Sequence, residues 1–111
     1  MEIKNQIKQK AQQHFDSVVA IRRHLHQNPE LSKQEKETSE YICSVLDTIE
    51  GVEYQSHVGG YGIYGFVKGK NPSKKTIALR ADMDALPIKE TTKLPFASTK
   101  EGVMHACGHD V

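Results

Sequence analysis

The apolar residues of this chain change their spacing once, at Gly51. Before it they recur every third or fourth position, and after it every second, so two helices come first and extended segments follow. In the first stretch Ile3, Ile7, Ala11, Phe15 (or His14), Val18 and Leu25 carry the helical period, with Lys and Gln between them. This spacing predicts a helix from about Glu2 to Gln27. Asn28-Pro29 closes it, because a residue before proline is pushed out of the α region. His24 and His26 fall in the last turn, where a cation meets the negative end of the helix dipole.

Ser32 and Glu35 have the S-x-x-E spacing of a capping box and predict the start of a second helix. Thr38, Tyr41, Ile42, Val45, Leu46 and Ile49 form its apolar stripe, with Cys43 beside it as a small hydrophobe, and Gly51 supplies a left-handed stop. Val52, Tyr54, Ser56 and Val58 then alternate as one strand, and Ile63, Phe66 and Val67 belong to the next. Gly59-Gly60 between them predicts a hairpin, while Gly62 and Gly65 predict a bulge or close packing. Residues 76–81 are apolar nearly throughout, which predicts a central strand covered on both faces, as in open α/β sheets. Ligands of such sheets bind beyond the carboxyl ends of the strands, the position of Asp82 and Asp84. Residues 86–102, with Pro87, Pro95 and many Thr and Lys, read as a long surface loop of a kind that often carries function.

The densest chemistry lies in Gly102-Val103-Met104-His105-Ala106-Cys107-Gly108-His109-Asp110. Cys107 and His109 are separated by one residue, so in an extended segment both side chains point to the same side. A thiolate and an imidazole suit Zn²⁺ and its borderline-soft neighbours. A catalytic zinc centre takes about three protein ligands, so C-x-H alone reads equally as a half-site or as a helix entry with Asp110 at the N-cap. Asp82 and Asp84 can hold a metal, orient an imidazole or move protons, and each can also be a turn or cap residue. Cys107 beside His105 or His109 also fits an activated thiolate, a second enzymatic reading. It ranks lower because nucleophile and base so close in sequence rarely reach the needed geometry.

With 111 residues the chain makes at most one domain, and a net charge of +1 excludes a bulk attraction to nucleic acid or anionic membrane. No apolar run approaches the ~20 residues of a membrane span, and the polar start Met1-Glu2-Ile3-Lys4 lacks the apolar core of a secretory signal. The two cysteines sit in unlike contexts, which argues for a reducing compartment and a cytoplasmic location.

Three motifs, in order, carry a resemblance. Arg22-Arg23-His24-Leu25-His26-Gln27-Asn28-Pro29-Glu30-Leu31-Ser32, Ile77-Ala78-Leu79-Arg80-Ala81-Asp82-Met83-Asp84-Ala85-Leu86-Pro87-Ile88 and the segment from Gly102 to Asp110 are similar to motifs of one amidohydrolase group. It includes hippurate hydrolase, the auxin-conjugate hydrolases and N-acetyl-diaminopimelate deacetylase, within the aminoacylase/carboxypeptidase metallopeptidases. The resemblance implies an α/β fold, the N-terminal part of a zinc-peptidase-like three-layer α/β/α catalytic domain. Residues 1–111 are then a partial catalytic domain, without the inserted dimerisation domain and the C-terminal part. It also implies metal-dependent hydrolysis of the amide of N-acyl amino acids, with two divalent ions (Zn, Mn, Co or Ni) per complete site. Cys107 and His109 become metal ligands, Asp84 takes a supporting role, and the complete enzyme is expected as a homodimer or homotetramer. In such enzymes the catalytic glutamate and the remaining ligands lie downstream of the stretch matched here, so this chain alone is expected to be inactive. The competing expectation is a non-catalytic metal- or partner-binding module built on the same part of the fold.

Overall fold

In the computed structural model, which describes residues 2–110, helix α1 spans Ile3–Gln27 and stops at the Asn28-Pro29 step as expected. Asn28 finishes it. Its backbone N–H donates to the carbonyls of His24 and Leu25, and its side-chain amide donates to the His24 carbonyl at 2.8 Å. These bonds satisfy acceptors that a helix end leaves open. The two histidines are engaged elsewhere than in capping. His24 stacks on Tyr41 with ring centroids 3.8 Å apart, and His26 is buried against Glu90.

Helix α2 spans Lys36–Leu46, and the Ser32–Glu35 capping box does not form. Ser32 sits in a turn, Lys33 adopts φ 67°, and Glu35 Oε1 accepts the Lys33 N–H at 3.0 Å. Glu30 caps the helix in its place. Its Oε1 accepts the Thr38 N–H at 2.6 Å and the Thr38 hydroxyl at 2.7 Å, and its Oε2 accepts the Glu37 N–H at 3.2 Å. Glu30 and Thr38 are buried, and the neighbouring Pro29 is fully so. Burial opposes ionisation of Glu30, but the Thr38 and Glu37 donors, helped by Lys100, win and hold its pKa below the usual carboxylate value.

After a turn in which Gly51 takes φ 82°, β1 (Val52–Val58) pairs antiparallel with β2 (Gly62–Val67), Val52 opposite Val67 and Gln55 opposite Tyr64. Gly59 and Gly60 turn the hairpin at φ 62° and 114°. A bulge is present, between Gln55 and Val58, where His57 takes φ 58°. Helix α2 lies against this sheet, and the Tyr54 hydroxyl donates to Asp47 Oδ1 at 2.6 Å across the junction.

Two expectations about burial are corrected. Residues 76–81 do not form a strand, and Ile77 and Leu79 are 87% and 96% exposed. A strand needs a lateral neighbour for its N–H and C=O groups, and the sheet among the described residues consists of β1 and β2 alone. Along α1, Ile3, Ile7, Phe15 and Val18 are likewise exposed, and the stripe is partly covered only towards Leu25. The accessible surface is 9,282 Å², where a folded monomer of this mass presents about 6,200 Å². No helix of the described residues is long and apolar enough to cross a membrane.

The expected long loop has no helix or strand of its own, but it is fastened at both ends. The Leu86 N–H donates to the Met104 carbonyl at 2.9 Å and the Met104 N–H returns to Leu86 at 3.0 Å, closing residues 86–104. The Ala85 N–H donates to the Glu30 carbonyl at 2.7 Å. Inside the loop Glu90 accepts from His26 Nε2 at 2.9 and 3.1 Å, from the Ser98 N–H at 2.8 Å and from the Thr92 hydroxyl. Burial alone raises the Glu90 pKa, but the Ser98 amide, the Thr92 hydroxyl and His26 outweigh it and hold it at about 2.

Replacing Glu30 by Ala removes the cap and strands the Thr38 donors, so stability falls by about 2 kcal/mol. Thr38→Val costs about 1 kcal/mol by the same reasoning. Urea denaturation reads both as lower midpoints at unchanged m. A carboxylate whose folded pKa is depressed stabilises above its unfolded pKa and loses that contribution as pH falls through the folded value. For Glu90 the window runs from about 4.5 down to about 2. Glu90→Gln is therefore less stable at neutral pH, and its urea midpoint falls less steeply than the wild type's across that window.

Candidate functional site

The closed loop decides which residues meet. Because Leu86 and Met104 pair, the residues just before Leu86 lie beside those just after Met104. His105 is thereby set next to Asp84, whose backbone faces the imidazole. Ala85 is buried and bridges Leu31, which anchors this junction to the connection between α1 and α2. Asp82 lies outside the junction. It is exposed and held by Arg80, whose Nε and Nη2 both reach Asp82 Oδ1 at 3.0 Å.

Gly108–Asp110 form a single 3₁₀ turn closed by the Asp110 N–H on the Cys107 carbonyl at 3.1 Å. The segment is turned, not extended as the same-side argument supposed, yet Cys107 and His109 still meet. The His109 N–H points at Cys107 Sγ at 3.4 Å, and Sγ lies 3.7 Å from His109 Nδ1. With Zn–S near 2.3 Å and Zn–N near 2.0–2.1 Å, a tetrahedral ion spans its sulfur and nitrogen ligands by about 3.6 Å. The pair therefore fits a shared divalent ion. Cys107 is half-buried and His109 exposed, so the pair is reachable from solvent.

Among the described residues no three His, Cys, Asp or Glu side chains converge as a metal-holding group. Asp84 is brought to His105 and is not joined to Cys107 and His109 in such a group. His105 is half-buried and its Nε2 has no hydrogen-bond partner. Burial lowers its pKa most; Asp110 and Asp84 pull it up, and His26 adds to the lowering. The imidazole facing the thiol is that of His109, so a thiolate–base reading would draw its base from there.

Two residues outside the motifs' chemistry, His26 and Glu90, meet in the structure. The sequence puts His26 at the helix dipole and Glu90 within a surface loop. Only their pairing across 64 positions gives them a role, and no local spacing signals it.

Residues 78–111 match the model of peptidase family M20/M25/M40. The N-acetyldiaminopimelate deacetylase of Lactobacillus acidophilus is 48% identical over 85% of this chain and 25% of its own length. Thermostable carboxypeptidase 2 of Saccharolobus solfataricus is 43% identical over 99% of this chain and 28% of its own. A Bacillus subtilis crystal structure, described as a dinuclear metal-binding peptidase from the M20 family, superposes with TM-score 0.75 at 43% identity. It covers 89% of this chain and 27% of that one. The chain thus spans about a quarter of the length of the curated relatives it matches. In sequence and in fold, it resembles the N-terminal part of the hydrolases of peptidase family M20/M25/M40.

Proposed function

We propose that this chain supplies one half of the metal centre of an amidohydrolase that cleaves the amide of N-acyl amino acids. The observation that carries the reading is the 3.7 Å approach of Cys107 Sγ to His109 Nδ1, the bite of a shared divalent ion. Cys107 and His109 hold the ion, and Asp84, beside His105, supports the pair from the adjoining segment. When bound, the ion supplies Lewis-acid polarisation of a carbonyl and a nucleophilic water at neutral pH. The names of the relatives, a deacetylase of an N-acetyl amino acid and a carboxypeptidase, support amide bonds next to a carboxylate as the substrate class.

Residues 1–111 act as a partial catalytic domain in this reading. The exposed strand-like residues 76–81 and the bare stripe of α1 are surfaces for the rest of that domain to cover. The excess of accessible surface over a closed monomer points the same way. A half-site with two donors holds metal weakly, so the chain by itself is inactive.

The test is complementation. The purified chain with Zn²⁺, Mn²⁺ or Co²⁺ is expected to leave N-acetyl amino acids intact. Mixed with a polypeptide carrying the remaining three-quarters of the Lactobacillus deacetylase, it is expected to give metal-dependent release of acetate, abolished by Cys107→Ala. Turnover by the chain alone sinks the partial-site reading. A stable, monodisperse short chain that binds Co²⁺ but complements nothing favours the non-catalytic module.

A further inference from the structure

We infer that the His26–Glu90 pair positions the candidate site, seating loop 86–104 on the end of α1 and thereby fixing where Cys107 and His109 stand. This rests on the metal-site reading above. Both partners are nearly buried, with side-chain exposures of 10% for His26 and 5% for Glu90. The pair joins the last turn of the first helix to a loop 64 residues later.

Glu90 organises the loop from inside. It takes the Ser98 N–H and the Thr92 hydroxyl while both of its oxygens face His26 Nε2. Next to it the Thr99 N–H and hydroxyl both donate to the Gln27 carbonyl, at 2.9 and 2.7 Å. Phe96 packs its ring under Arg23 at 4.6 Å and meets the edge of His26 at 5.9 Å. The Lys89–Glu101 pair on the same loop is exposed at both ends and contributes little to such seating.

The loop has a narrow base, the two backbone bonds between Leu86 and Met104, and His105 follows immediately. A closed loop hinged on two bonds can swing unless its body is fixed. The hydrogen bonds and ring contacts that fix it to α1 fall on residues 22–27, with His26 the buried one. Releasing Glu90 therefore frees the direction in which residues 105–110 leave the base, without touching either proposed ligand.

The experiment compares wild type, Glu90→Gln, His26→Gln and Tyr41→Leu in the 111-residue chain. Tyr41→Leu breaks the stack of His24 of α1 on Tyr41 of α2 and leaves the His26–Glu90 pair unaltered, so it controls for general loss of stability. One readout is Co²⁺ affinity from the thiolate-to-cobalt absorption band, and the other is amide hydrogen exchange of residues 104–110. The expected result is about tenfold weaker Co²⁺ binding, the scale on which outer-shell partners tune metal sites. Faster exchange is expected at residues 104–110 in both loop variants, with wild-type values in Tyr41→Leu. Unchanged affinity and exchange in the loop variants, or equal loosening in Tyr41→Leu, overturns the inference. If the wild-type chain gives no cobalt–thiolate band at saturating Co²⁺, the two donors do not hold metal by themselves, and the exchange data alone decide the positioning claim.

Discussion

The described structure depends on one buried carboxylate. A buried charge costs several kcal/mol unless its lone pairs are met by donors. Glu30 meets that condition with two helix amides and a hydroxyl, all from the start of α2. Its backbone carbonyl meanwhile takes the Ala85 N–H, and its neighbour Leu31 forms a parallel bridge to Ala85. The exit from α1, the entry into α2 and the segment carrying Asp84 are therefore tied at one residue. Pro29 sets the approach to it, fully buried and with no N–H to satisfy. Displacing Glu30 moves all three elements together.

Polar and apolar burial are unevenly completed in this chain. The polar junction is closed: Glu30, Thr38, His26 and Glu90 have their partners within it. The apolar surfaces are open, and Ile77, Leu79, Ile7 and Val18 face solvent. The difference follows from range. A carboxylate is satisfied by a few well-aimed donors nearby, whereas a strand covered on both faces needs flanking strands and helix layers. The apolar pattern of residues 76–81 suits the second kind of environment, and among the described residues that segment lies exposed.

That contrast also explains what could be read in advance. The first helix was legible to its last residue because its stop signal, Asn28-Pro29, acts on the adjacent φ and ψ angles. The hairpin was legible because Gly59-Gly60 takes the positive φ that its turn needs. The start of α2 was misread because Ser32 and Glu35 satisfy a local rule, while the donor groups went to a carboxylate buried by tertiary packing. The strand expected at 76–81 does not form, because an apolar pattern cannot by itself supply a neighbouring strand. Of the site, Cys107 and His109 were visible as residue types, and the placing of Asp84 beside His105 was not, since it hangs on a loop closure between Leu86 and Met104.

The spacing of Cys107 and His109 shows why residue type and position must be judged together. In a strand, residues two apart are separated by about 6.6–6.8 Å along the axis, so the side chains must lean together to meet a common ion. In a 3₁₀ turn the same step advances by about 4 Å. The turn at Gly108–Asp110 thus makes the 3.7 Å bite in this structure. Two donors from one turn share a fixed bite but cover only one side of an ion. Whatever completes the coordination must find that side at the right place and angle. For a half-site of this kind, the accuracy with which the loop presents the turn matters as much as the identity of the donors, and that accuracy is set at the end of α1.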